Sequence, residues 1–412
     1  MQGGAGRAHP HAQATRAQEE GRAGGAGARV SAPAQPDGPT RGEAAPVRTL
    51  LVHRLGRVEY EDGLALMRLG GAAVRAATPP ATDHLFLLEH PPVVTLGRGA
   101  DRANVVAAPA WLEKQGFELH ETDRGGDVTY HGPGQIVGYP VVDLADRPDV
   151  RRYVAALEEA MIRACADYGI AAGRHDEHRG AWVGRKKIGA VGVHLSRWVT
   201  SHGFAFNVRT DLTHFQVIVP CGIADPRLGV TSLEAELRER GRAAPELGEV
   251  EERLATHVAE ALGRARADAA PDLRTVSVVP VGADGRVLLL RRSEARGGFW
   301  QPVTGRIEPG ESEADAARRE LWEETGADVP VEPLDYAHAF ALEPALARLP
   351  EGALRLAHET AFAARLPASF ELRISDEHAE HVWLAPQDAV ARLRFAGLRK
   401  AVRLATGAAV AR

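Results

Sequence analysis

The pattern of the chain breaks once, near residue 270, and that break constrains the fold more than any other feature. From Thr231 to Ala265 the residues follow a charged, helical spacing, through Leu233-Glu234-Ala235-Glu236-Leu237 and Val250 to Leu262. Asp268 to Asp272 carries no apolar period. A new strand pattern then starts at Thr275 with Val276-Ser277-Val278-Val279, Asp284-Gly285 marks a hairpin, and Val287-Leu288-Leu289-Leu290 returns. A chain of 412 residues is too long for one ordinary core. Two folded domains are therefore expected, at 47–267 and 273–412, joined by a linker at 268–272. Residues 1–46 are rich in Gly, Ala, Pro and Arg, and the first aromatic residue is Tyr60, so this segment is expected to be a disordered tail.

Composition excludes several classes. A net charge of -5 with mixed signs announces no nucleic-acid surface. No apolar run reaches membrane-spanning length, and the N-terminus lacks a secretory h-region. Two cysteines cannot build a disulfide framework, which points to a reducing, cytoplasmic setting.

Within the first domain, strands are expected at Arg48–His53, His84–His90 and Val93–Gly97. Helices are expected at Tyr60–Ala77 and Val150–Tyr168, the second burying Cys165 as a small hydrophobe. Three further segments carry polar chemistry among glycines. One is Arg124-Gly125-Gly126-Asp127-Val128-Thr129-Tyr130-His131-Gly132-Pro133-Gly134-Gln135, a backbone built for close approach to a ligand. Another is Gly184-Arg185-Lys186-Lys187-Ile188-Gly189-Ala190-Val191-Gly192-Val193, where a lysine opens an apolar strand and either enters a pocket or snorkels to solvent. The third is Ser201-His202-Gly203-Phe204-Ala205-Phe206-Asn207-Val208, in which His202 is either structural or a ligand contact. Finally, Val217-Ile218-Val219-Pro220-Cys221-Gly222-Ile223 reads as a strand ending in a turn that presents a thiol. Cys221 is either a buried hydrophobe or an aimed nucleophile.

These segments, with Leu88-Glu89-His90-Pro91-Pro92-Val93 and Gly138-Tyr139-Pro140-Val141-Val142-Asp143-Leu144, resemble the octanoyltransferases of lipoate biosynthesis over residues 48–245. The resemblance implies a mixed α/β (α+β) fold like that of biotin and lipoate protein ligases. It also implies an activity: an octanoyl group moves from octanoyl-acyl carrier protein to a lysine on the lipoyl domains of 2-oxoacid dehydrogenases and the glycine cleavage H protein, with no cofactor. By the same resemblance Cys221 is the acyl-thioester nucleophile and Lys187 the lysine beside it. Arg124 through His131, Ala190-Val191-Gly192 and Gly203-Phe204-Ala205 bind substrate. A free thiol has a pKa near ~8.5, and a neighbouring ammonium favours its thiolate. The competing reading is an ATP-dependent lipoate or biotin-type ligase, whose acyl-adenylate chemistry needs no cysteine, with the second domain as a nucleotide-binding module.

In the second domain Gly305-Arg306-Ile307-Glu308-Pro309-Gly310-Glu311 precedes Arg319-Glu320-Leu321-Trp322-Glu323-Glu324-Thr325-Gly326-Ala327. A helix over 312–324 places Glu320, Glu323 and Glu324 at i, i+3 and i+4 on one face. Such a cluster is either a solvated acidic face or a site for a hard divalent ion, Mg²⁺ or Mn²⁺. The full spacing resembles the Nudix box, with Ala327 in place of the usual aliphatic residue. That resemblance implies an α/β/α sandwich and hydrolysis of an unspecified nucleoside diphosphate derivative. Glu320, Glu323 and Glu324 would be the metal ligands, Glu320 catalytic, Glu311 an extension of the site and Arg319 its orienting group. Trp300 and Glu377 fit the same family, Glu377 as a further ligand or base.

Overall fold

Leu85, Phe86, Leu87 and Leu88 form an unbroken apolar run because both faces of their strand are covered. Leu85 and Leu87 pack with Leu157, Met161, Cys165, Leu254 and Val258 of the helices Val150–Asp167 and Leu247–Leu262. Phe86 and Leu88 point the other way, against Leu66, Met67 and Leu69 of the helix Tyr60–Ala76. The computed structural model describes residues 48–77, 82–222, 225, 227–270, 272–350 and 352–407, and Cys221 only through its backbone. The expected tail at 1–46 lies outside them.

Among the described residues the first sheet has eight strands. Its order runs Gly229–Val230, Lys186–Ser196, Val199–Asn207, Gln135–Val141, Thr82–Glu89, Thr49–Arg57 and Ala265–Asp268, with Ala181–Val183 also on Lys186–Ser196. Its centre is antiparallel, and Thr49–Arg57 runs parallel to both of its neighbours. A small three-stranded sheet, Glu118–Glu121, Val93–Leu96 and Val128–His131, leans beside it.

The expected strand at Val217–Ile223 does not form. Leu212–Val217 is a 3₁₀ turn, Ile218 makes a single antiparallel bridge to Val105, and Pro220–Gly222 is a second 3₁₀ turn; Ile223 lies outside the described residues. Phe215, Val217 and Ile218 bury against Val94, Val128 and Tyr130 of the small sheet, so the apolar run finds its core without a strand partner. Pro220 lacks the donor a ladder needs. The helical run after Thr231 is likewise two pieces, Leu233–Arg238 and Leu247–Leu262.

The second half is an α/β/α sandwich. Among the described residues, Leu273–Gly282 runs parallel to Leu356–Leu366 at the centre of a seven-stranded sheet. Val276, Val278, Leu288 and Leu290 face Ala316, Ala317 and Leu321 of the helix Glu313–Thr325. Val279, Val281 and Leu289 face Ala389, Leu398 and Val402 of the helices Pro386–Arg392 and Ala396–Thr406. The two halves also share a core: Ala339, Ala341 and Leu356 pack among Leu66, Met67 and Val199. All described residues belong to one compact body, Pro46–Arg412. No described helix is long and apolar enough to cross a membrane.

Candidate active sites

Two adjacent lysines open the strand Lys186–Ser196, and alternation sends them to opposite sides. Lys186 is half exposed and binds Glu236 at 3.3 Å and Glu239 at 3.0 Å. Lys187 is buried, with its Nζ 5.0 Å from the centroid of the Trp182 ring, a cation–π contact, and it lines a cavity of about 410 Å³. Arg124, Gly125, Gly126, Asp127, Val128, Thr129, His131, Ala190, Val191, Gly192, Gly203, Phe204 and Ala205 line the same cavity. Val137, Tyr139, Val150 and Val154 add apolar wall.

Tyr130 is not brought there. It alternates with Thr129 and His131, is fully buried under the small sheet, and bonds His214 Nδ1 at 2.7 Å through its hydroxyl. Arg124 is a clamp as well as a wall: its guanidinium donates to Thr95 Oγ1 and O and to Gly125 O.

Glycines let the loop pass over the strand. Gly125 N donates to Val193 O at 2.9 Å, and a Cβ at Gly192 would lie 3.0 Å from Gly125 O. Gly192 pairs with Gly203, where a Cβ would meet Gly138 O at 2.2 Å.

The turn that carries Cys221 is tied to the same loop. Val219 N donates to Asn104 O at 2.7 Å, and Asn104 Nδ2 donates to Asp127 Oδ2 at 2.7 Å. Gly222 holds φ +66°, and a Cβ there would strike Asp127 Oδ2 at 2.2 Å. The turn therefore seats on Asp127, one of the residues lining the cavity. The Cys221 side chain lies outside the described part of the structure.

Burial holds His131 and His202 below the ordinary imidazole range. Burial, then His90, pushes His131 down to about 3. His131 Nδ1 pairs with Gln135 Oε1 at 2.7 Å, Gln135 Nε2 donates to Asn207, and Asn207 donates to Thr231 O. Thr231 N in turn donates to Lys187 O, so one hydrogen-bonded chain fixes both sides of the cavity. Burial lowers His202, while Asp123 at 2.8 Å offsets part of that; His202 lines the cavity as a braced structural residue with φ 56°.

In the second half a cavity of about 800 Å³ is lined by Glu320, Glu323, Glu324 and Glu377. The helix that carries the first three is capped by Ser312, whose Oγ accepts from Asp315 N, and ends at Gly326 with φ 76°. Glu320 packs so closely on the strand Val303–Arg306 that a Cβ on Gly305 would overlap it, at 1.7 Å. Arg319 grips Glu311 with two bonds, at 2.9 and 3.0 Å, and reaches Glu320 at 2.7 Å and Glu323 at 3.3 Å. Hydrogen bonding to Glu311 holds the guanidinium firmly charged, and Arg319 in turn holds Glu311 below the usual carboxylate range.

Among the described residues no three His, Cys, Asp or Glu side chains converge tightly enough to hold an ion as placed. The reason is visible: Arg319 draws on Glu320 and Glu323, and Glu324 turns to His378. His378 Nε2 lies 3.1 Å from Glu324 Oε2, a charge-pairing distance, yet neither atom makes a directed hydrogen bond. Burial raises both Glu320 and Glu324, with Arg319 and His378 offsetting part of each shift. Buried carboxylates with an orphaned oxygen are a donor set suited to a hard divalent cation. Trp300 turns away, packing with the opposite core under the Arg392 guanidinium at 5.4 Å. Glu377 pairs with Arg292 and Arg296, at 3.4 and 3.0 Å. His378 escaped the sequence reading because one histidine beside an acidic run gives no period; only the fold brings it to Glu324.

Two family models match the chain: the lipoyl protein ligase A/B catalytic domain over residues 59–259, and the NUDIX domain over residues 271–404. An octanoyltransferase of Myxococcus xanthus is 51% identical over 370 residues, 87% of this chain and 100% of that protein. That span is too long to fit within the first match alone. The chain belongs to the octanoyltransferase family. It carries a NUDIX domain behind its transferase domain. An octanoyltransferase of Solibacter usitatus is 51% identical over 214 residues, 52% of this chain and 93% of that protein. Among solved structures, a lipoate-protein ligase A bound with ATP matches at 18% identity with a TM-score of 0.44, covering 54% of this chain and 88% of its own. The E. coli dihydroneopterin triphosphate pyrophosphohydrolase matches at 28% identity with a TM-score of 0.29, covering 32% of this chain and 94% of its own.

Proposed function

We propose that the transferase domain moves an octanoyl group from octanoyl-acyl carrier protein to a lysine of lipoyl domains through a thioester on Cys221. The Cys221 thiolate attacks the carbonyl of the donor thioester, the carrier's carbon–sulfur bond breaks, and the Lys187 ammonium gives the departing sulfur its proton. The acceptor amine then attacks the new thioester, the amide forms, and Cys221 is released. Thioester exchange is nearly isoenergetic and amide formation runs downhill, so no nucleotide is consumed. Lys187 favours the thiolate in the first step and takes a proton from the amine in the second. The apolar wall of Val137, Val154, Val191 and Phe204 suits the alkyl chain.

The observation that supports this reading is the sorting of the lysine pair: Lys187 enters the cavity beside the loop that seats the Cys221 turn, while Lys186 is tied up by Glu236 and Glu239. Lys187→Ala is expected to cut octanoyl transfer about 10²-fold or more and to shift the pH profile of Cys221 alkylation upward. An unchanged profile would remove its role. Cys221→Ser at wild-type rate would remove the thioester.

The NUDIX domain, in the same proposal, hydrolyses a nucleoside diphosphate derivative with Mg²⁺ or Mn²⁺. Glu320, Glu323 and Glu324 would hold the ion, which supplies polarisation of the pyrophosphate and a more acidic water. Arg319 positions Glu320 and Glu323, and Glu377 lies near Glu324, paired with Arg292 and Arg296. Turnover of a nucleotide panel with Mg²⁺, lost in Glu320→Gln and Glu324→Gln, tests this. Nucleotide binding without turnover would favour a non-catalytic module.

A further inference from the structure

The hydrolase cavity is not built by the NUDIX domain alone. Its floor includes one cross-strand row, Arg306–Thr275–Glu359–His338, spanning four adjacent strands. Three strand spacings make the row about 14 Å long. At its Arg306 end stands the carboxylate helix, since Arg319 Nη2 donates to Arg306 O. Beyond its His338 end stands Asp62, from the first turn of the transferase helix Tyr60–Ala76, which also lines the cavity.

The two ends differ in charge. The arginines Arg292 and Arg296 cluster with Glu377 near Glu324, where phosphates would lie. The Asp62 end gathers carboxylates: Glu359 bonds His338 Nε2 at 3.3 Å, Glu59 accepts from the Tyr336 hydroxyl at 2.7 Å behind it, and Arg399 pairs with Glu61 beside them. These carboxylates, offset in part by His338 and Arg399, suit N–H donors. Asp62 has need of them. Its Oδ2 is shut off from water with no hydrogen-bond partner among the described residues, and burial pushes the carboxyl up to about 7. Leaving a buried polar atom unpaired is costly, and a ligand donor would offset that cost. Phe395, on the same cavity, offers a ring for stacking.

We propose that Asp62, supplied by the transferase domain, reads the base of the nucleotide in the hydrolase cavity and selects a guanine-type edge, a ring N–H beside an exocyclic amine. This rests on the reading of the cavity as a nucleotide hydrolase site. A carboxylate accepts two parallel N–H bonds from that edge. Uracil offers one N–H between two carbonyls, and hypoxanthine lacks the amine.

The test is equilibrium binding of GTP, ITP, ATP and UTP to the full-length protein, with Ca²⁺ in place of Mg²⁺, for the native chain and Asp62→Asn. GTP is expected to bind about tenfold tighter than ITP or UTP. Asp62→Asn is expected to bring the GTP/ITP ratio within about twofold of unity and to leave UTP affinity within about twofold of the native value. Equal GTP and ITP affinity in the native chain, or a ratio unchanged in Asp62→Asn, overturns the proposal. If the variant does not fold, the native ratio decides alone. Nucleotides bound and hydrolysed without GTP/ITP discrimination defeat only this inference; no nucleotide binding at all defeats the hydrolase reading with it.

Discussion

His378 shows what single residues do in this molecule that the sequence does not display. It is fully buried against Glu324 and shares that carboxylate's cost of burial. Replacing it by Leu removes the imidazole beside the buried Glu324 carboxylate and leaves Arg292 as the cation near it. His378→Leu is expected to destabilise the protein by about 1–3 kcal/mol, read as a fall of several degrees in Tm. An unchanged Tm would mean that the pair contributes nothing. The lysine pair was legible in part: the resemblance singled out Lys187, directly before Ile188, but the residues alone left it between pocket and solvent until the strand's register turned it into the cavity. Tyr130 was not, since its neighbours Thr129 and His131 reach the cavity and only the register of a three-residue stretch separates them. Trp300 sits one position out of phase with Phe299 and Gln301, which line the hydrolase cavity.

At the scale of elements, the glycines of the paired strands Lys186–Ser196 and Val199–Asn207 set how closely the ligand loop approaches. Gly203→Ala places a methyl 2.2 Å from Gly138 O, where only backbone can move. Loss of more than about 2 kcal/mol of stability is expected, with octanoyl transfer falling as the sheet opens; unfolding by urea measures the first and a transfer assay the second. Strands and helices with a clean period were readable, including both faces of His84–Leu88 and the capped helix at Glu313–Thr325. The Val217–Gly222 segment was not. Its apolar residues bury against a small neighbouring sheet rather than in a ladder, and composition cannot tell a buried 3₁₀ turn from a strand.

Across the whole molecule, burial shifts titrations in both directions, and the lowered imidazoles carry the sensitivity to acid. Burial lowers His53 and His90 to about 4, and His84 and His131 to about 3. Each binds a proton in the unfolded chain near pH ~6.5 but not in the folded one. The unfolded state therefore holds more protons below that pH. Each histidine's contribution is fully present above ~6.5 and is lost as the pH drops from there toward 4, by up to about 1.4 kcal/mol per histidine per pH unit, while Asp62 and Glu251, raised by burial to about 7, act in the opposite sense. Urea midpoints at pH 7.5 and 5.5 for the native chain and for His84→Gln check this; the same pH dependence in both would contradict it. The shared core of Leu66, Met67, Ala339, Ala341 and Leu356 could not be foreseen, because each half reads as self-sufficient along the chain. That packing is what carries Asp62 into a cavity otherwise built by the second domain. The central claim remains the acyl chemistry of the first. Intact-protein mass spectrometry after mixing with octanoyl-acyl carrier protein tests it most directly. One added octanoyl group, mapped to Cys221 and discharged by a lipoyl domain, is the result predicted; octanoylation of the lipoyl domain with no adduct on Cys221 would contradict it.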